Sequence, residues 1–167
     1  MFYKLLGYML IILAGTGFGY SKNLEMERHL QELEEIRHLF CIFKGELKYT
    51  QGTFGEIFDK IGDKTEGKFA EWLKTLSKML KEKSGESFAC VWEKSIDVKL
   101  RESHLKEKDL EDLKRIGKNL ASLESIDLYI EQLEYEIQNK RELYKTKGKL
   151  CRSMGIMGGI FLVILLL

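Results

Sequence analysis

The sequence predicts an all-α protein, a membrane-anchored helical bundle of two long antiparallel helices with a short-helix insert between them. Three observations carry that reading. The chain of 167 residues contains no proline, the residue that breaks helices by removing a donor and clashing one turn back. Apolar residues recur at spacings of three and four, the helical period. Charge is also partitioned. Lys4 is the only charged side chain in residues 1–20, residues 153–167 carry none, and every other charge lies between.

The first element is a membrane helix over 2–20. LLGYMLIILAGTGFGY at 5–20 has no charge, and with Lys4 snorkelling about 19 residues from Phe2 can span a hydrocarbon core. Lys4, the apolar run and the small residues Ala14-Gly15-Thr16-Gly17 also resemble a secretory signal peptide. An uncleaved anchor is the expectation, because the helical pattern continues past Tyr20 without a break. The last element, SMGIMGGIFLVILLL at 153–167, is the second membrane segment. Fifteen helical residues reach only about 22 Å against a ~30 Å core, so bilayer thinning and snorkelling of Arg152 must close the gap.

Gly15-x-x-x-Gly19 and Gly155-x-x-x-Gly159 are small-xxx-small motifs that let membrane helices approach closely. An antiparallel register sets Gly19 beside Gly155 and Gly15 beside Gly159. Extended into the middle of the chain, it puts His29 beside Lys145. Arg141, Lys145, Lys147, Lys149 and Arg152 precede the last segment and no charge follows it. The positive-inside rule then places 21–152 in the cytoplasm. Cys41, Cys90 and Cys151 are few and odd in number, which suits a reducing compartment.

Residues 21–152 read as a cytoplasmic helical domain. In 21–49, Leu33, Ile36, Phe40, Phe43 and Leu47 are spaced 3, 4, 3, 4, a coiled-coil-like seam that Met26 extends. In 121–152, Leu123, Ile126, Ile130, Leu133 and Ile137 repeat that spacing, with Tyr144 and Cys151 in register. Each helix runs directly into a membrane segment. Between them the pattern predicts a short helix over 52–61, one beginning after Thr65 as its cap, one over 86–101 and one over 106–118. Phe54, Phe58, Phe69, Trp72, Phe88 and Trp92 are the expected core.

Composition excludes several functions. With 27 basic against 26 acidic residues the net charge is +1, and a general nucleic-acid binder needs a basic footprint. Glu35-x-x-His38 has the spacing of two metal ligands on one helix face, but a di-iron bundle needs two such motifs and two more glutamates. His29, His38 and Cys41 therefore read as solvated polar residues. No glycine-rich phosphate loop follows a strand. The expectation is no enzyme, no catalytic residue, no metal and no cofactor.

The start MFYKLLGYMLII, GELKYT at 45–50, Trp92, LKRIGKNLASLESIDLYIEQL at 113–133 and the ending YKTKGKLCRSMGIMGGIFLVILLL at 144–167 together resemble the stage III sporulation protein AB family of endospore formers. That family is in turn similar to the cytoplasmic domains of platform proteins of type II secretion and type IV pilus systems. The resemblance implies a non-enzymatic component of the apparatus joining mother cell and forespore. It would sit in the mother-cell membrane and dock an ATPase like stage III sporulation protein AA. Other channel components, the lipid bilayer and a homo-oligomer are the further implied partners. Glu46 matches a glutamate that the family pattern places at the end of the first cytoplasmic helix, and is the candidate docking residue. A membrane-anchored signalling or scaffold protein unrelated to secretion is the alternative reading.

Overall fold

The structure, a computed structural model, describes the backbone of residues 2–49, 52–82 and 85–166. It describes the side chains of 21–49, 52–82 and 85–148, and those of Ser153, Met157, Phe161 and Ile164. Among the described residues every regular element is helical. In order they are α1 (Phe2–Tyr49), α2 (Phe54–Lys64), α3 (Gly67–Lys81), α4 (Phe88–Lys99), α5 (Glu107–Ile116), a 3-10 turn (Gly117–Asn119) and α6 (Leu123–Leu166). Among those residues no helix is long and apolar enough to cross a membrane. The side chains of the two expected membrane segments, 2–20 and 153–167, fall for the most part outside the described residues. Gly15, Gly19, Gly155 and Gly159 fall there too.

The chain forms two compact units, one of Met1–Leu30 with Gln138–Leu167 and one of Gln31–Ile137. The second unit is the insert of α2–α5 together with the flanking parts of α1 and α6. Its core is aromatic, but of the six expected residues Phe54 and Phe88, each the first residue of its helix, are only half-buried. Leu33, Ile36, Phe40 and Phe43 of α1, Ile126, Leu133 and Ile137 of α6, and Phe58, Phe69, Trp72 and Trp92 of the insert are all buried. The Trp72 and Trp92 rings meet edge to face at 5.1 Å, and Phe43 stacks on Phe58 at 5.0 Å. Each such side chain withdraws about 150–250 Å² from water, so this cluster supplies most of what holds the unit. Leu123, counted into the α6 seam, is instead 38% exposed. It is the first residue of α6, where the chain has only just turned onto the bundle.

The limits of the short helices follow from caps. Thr53 opens α2 with a capping box. Its hydroxyl accepts the Glu56 amide at 3.4 Å, and the Glu56 carboxylate accepts the Thr53 amide at 2.8 Å. Thr65 does not cap the next helix. Its hydroxyl donates back to the Ile61 carbonyl at 2.8 Å and closes α2. Thr65 and Glu66 are both extended, and Gly67 takes a φ of 75°, a left-handed turn that glycine tolerates. Ser87 caps α4, and the Asp109 carboxylate accepts the Lys106 amide at the start of α5.

Gly117 ends α5, and a Cβ there would overlap the indole of Trp92. The Trp92 Nε1–H donates 2.8 Å to the Leu113 carbonyl. That carbonyl lies in the last turn of α5, where helix acceptors lose their intrahelical donors. The Gly117 amide turns to the Lys114 and Arg115 carbonyls instead. The buried indole thus fills the place left by a backbone donor, and only a residue without Cβ lets it come that close.

The first unit is held differently. His29 is 2% exposed, and its Nδ1 lies 2.7 Å from the Tyr144 hydroxyl. The expectation of a solvated His29 is therefore wrong. Met26, His29, Leu33 and Ile36 are themselves spaced 3, 4, 3, so His29 occupies a seam position, where a polar residue is buried and must find a partner. The expected partner position was Lys145; the contact falls one residue earlier. Gly148 packs against Asn23, within reach of which a Cβ would meet the side-chain oxygen.

Candidate docking surface

Glu46 lies in the last turn of α1, within the 31–137 unit. Its carboxylate does not stand free. Oε2 accepts the Lys60 ammonium at 2.6 Å, and Lys64 lies 3.5 Å from Oε1. The Glu46 side chain is 14% exposed, whereas Lys60 and Lys64 are about half exposed, at 49% and 58%. Lys60 and Lys64 are four apart, on one face of α2. The carboxylate is thus turned inward and what faces water is a pair of ammonium groups. Glu46 pins α2 to α1 and organises that cationic pair.

Further ion pairs join neighbouring elements across the same unit. Lys44 pairs with Asp127 between α1 and α6. Asp63 pairs with Lys74 at 2.9 Å, Asp97 with Lys114 at 2.6 Å and Glu136 with Lys108 at 3.1 Å. Exposed pairs of this kind contribute about 0–1 kcal/mol each.

Glu35 and His38 are both exposed on α1. Partial burial, then the Glu32 carboxylate beside it, holds the Glu35 carboxyl above its ordinary range. Among the described residues no group of three or more His, Cys, Asp or Glu side chains is arranged to hold a metal ion. The apolar void between Phe40, Phe43, Phe58, Trp72, Trp92 and Leu120 is about 20 Å³, room for one water at most. Its lining offers no free polar partner, so it is a dry packing gap. Sequence reasoning missed Tyr129, which is 6% exposed and packs on Phe40 at 4.8 Å. Burial first, then Asp112, Asp109 and Glu136, push its hydroxyl far above the usual tyrosine range. The signal was present: Tyr129 follows Ile126 by three and precedes Leu133 by four.

The fold and this surface define an all-helical protein with an aromatic core and a charged, internally paired exterior. A family profile described as stage III sporulation protein AB matches residues 4–167, and the chain belongs to that family. Stage III sporulation protein AB of Bacillus subtilis (strain 168) is 22% identical over 170 residues, covering 98% of this chain and 99% of that one. A solved structure of a stage III sporulation protein AB shares the fold at a TM-score of 0.65 and 18% identity, covering 71% of this chain and 97% of the other.

Proposed function

We propose that this protein is a non-enzymatic membrane component of the secretion-like channel apparatus between mother cell and forespore, and that it docks a cytoplasmic ATPase there. The family match over 4–167 is the observation that carries the reading, because it takes in both uncharged ends as well as the domain between them. In this reading 2–20 and 153–167 are antiparallel membrane helices packed through Gly15, Gly19, Gly155 and Gly159. The protein sits in the mother-cell membrane that faces the forespore, with residues 21–152 in the mother-cell cytoplasm. A stage III sporulation protein AA-like ATPase is the soluble partner, and other channel components are the partners in the membrane. Glu46 serves docking indirectly, by holding Lys60 and Lys64 in place.

Crosslinking of the native protein in sporulating cells tests the partner: the expected capture is the ATPase, and capture of channel components alone removes the docking role. Reporter fusions test the topology. One after Leu167 should read as extracytoplasmic and one at Gly85 as cytoplasmic; a cytoplasmic signal from both rejects the two-span arrangement.

A further inference from the structure

Within the 31–137 unit, α6 carries a stretch of charge of one sign. Residues 119–139 hold five carboxylates, Glu124, Asp127, Glu131, Glu134 and Glu136, and no lysine or arginine. In a chain of 27 basic and 26 acidic residues, such a one-sign stretch contrasts with the cross-element pairs elsewhere. Asp127 and Glu136 face neighbouring elements and pair with Lys44 and Lys108. Glu124, Glu131 and Glu134 are exposed, and none of them has an ion-pair partner among the described residues.

Two large apolar side chains stand among those three carboxylates. Leu128 is 61% exposed and Tyr135 is 70% exposed. They are seven apart on α6 and so lie on one face, two turns from each other. Glu124 precedes Leu128 by four and Glu131 follows it by three, so both lie on the same side of the helix as Leu128. The seam residues Ile126, Leu133 and Ile137 are buried on the other side. Hence α6 has two apolar faces within the 31–137 unit. One is consumed by the fold, and the other is apolar at its centre and acidic at its edge.

We infer that the Leu128–Tyr135 face of α6 is a docking site for a protein partner that presents a cationic amphipathic helix. Charge complementarity selects that occupant. A ridge of Leu128 and Tyr135 fits the groove between neighbouring side chains of a facing helix. Lysines or arginines flanking that groove would meet Glu124, Glu131 and Glu134, which nothing in the unit neutralises. An acidic or neutral partner would bring like charges together or leave these carboxylates partly desolvated without a counter-charge. The inference rests on the docking role proposed above and adds to the Lys60 and Lys64 pair a second surface with its own partner chemistry.

The test uses the full chain in lipid nanodiscs and the purified stage III sporulation protein AA-like ATPase as probe. Glu124→Lys with Glu131→Lys, and separately Tyr135→Glu, should each weaken binding at least tenfold without shifting the melting of the domain. Val98→Glu alters a comparably exposed apolar residue on α4 (64% exposed) and should leave binding unchanged. Salt raised from about 0.05 M to about 0.5 M should weaken wild-type binding, since exposed charges are then screened within a few ångströms. If the ATPase binds and the α6 variants bind as well as wild type, this inference is overturned and the docking role stands.

If the ATPase does not bind at all, the docking role fails, and a second arm decides the inference alone. A photo-crosslinking residue at position 135 in sporulating cells should form an adduct within a lysine- or arginine-rich helical segment of another protein. No adduct, an adduct with a second copy of this chain, or one with an acidic segment overturns it.

Discussion

Residues 31–137 and the segments around His29 and Tyr144 solve the same problem by different means. In the first, helices are held by aromatic burial, with Trp72, Trp92, Phe43 and Phe58 packed ring against ring. The two indoles are tied into the polar groups drawn inside: the Trp72 Nε1–H donates 3.0 Å to the Ser95 hydroxyl, and that hydroxyl donates to the Trp92 carbonyl, whereas Asp112 Oδ2 is buried without a hydrogen-bond partner among the described residues. In the second, the buried contact is polar, a histidine on a tyrosine hydroxyl. Burial of apolar surface is non-directional and large, so the insert tolerates rearrangement of single contacts only where volume is conserved. A buried polar pair contributes less, but it accepts one register and rejects its neighbours. The comparison separates a region built for stability from one built for alignment.

The largest effect should come from Trp92→Ala. It removes a 1% exposed indole and the donor to Leu113, and about 3–5 kcal/mol is expected for such a truncation. Chemical denaturation of the full chain, followed by Trp72 fluorescence, measures it. Gly117→Ala should cost about 1–3 kcal/mol by overpacking, because its Cβ would overlap the same indole. A neutral Gly117→Ala would show that α4 and α5 move apart without penalty, and would break the claim that this region is tightly set.

Glu46→Lys replaces a 14% exposed carboxylate with a third cation beside Lys60 and Lys64. About 1–3 kcal/mol is expected, between the cost of breaking an exposed and a buried pair. Glu46→Gln should cost less, since it keeps a hydrogen-bond acceptor. Equal melting of both variants and wild type would return Glu46 to a pure surface role.

Tyr144→Phe removes the hydroxyl that meets His29 and should cost about 1 kcal/mol. Hydrogen exchange locates the loss: amides near 23–30 should exchange faster, while those of α4 should not change. Uniform acceleration would mean that the two regions open as one cooperative unit. The smallest effect is pH-dependent. Hydrogen bonds from Thr53, backbone first, hold the Glu56 carboxyl below its ordinary range. A depressed folded-state value means that the cap's contribution is complete above the ordinary carboxylate range. It is lost as pH falls through the lowered value of the folded state. Glu56→Gln should remove that contribution near neutrality and flatten the stability–pH curve in the acidic window, so that variant and wild type converge as pH falls.

What could be read locally was read well. The limits 2–49 for the first helix match α1, because the helical period runs through it without a proline. Leu33, Ile36, Phe40 and Phe43 follow from spacing, since a helix can bury only one stripe, whereas Leu47 is only half-buried and Leu39, outside the 3, 4, 3, 4 series, is buried. The Thr53-x-x-Glu56 cap is equally local, and the spacing of Met26, His29, Leu33 and Ile36 puts His29 in the seam despite its polarity. Other features belong to tertiary structure. That Thr65 closes one helix instead of opening the next depends on the turn at Gly67. That Gly117 gives way to Trp92 depends on α4 lying against α5, and that Glu46 faces Lys60 and Lys64 depends on α2 folding back on α1. Periodicity along a chain decides which side of each helix is buried. Which residue of another helix arrives there is decided by contacts between positions far apart in sequence, and no local pattern encodes them.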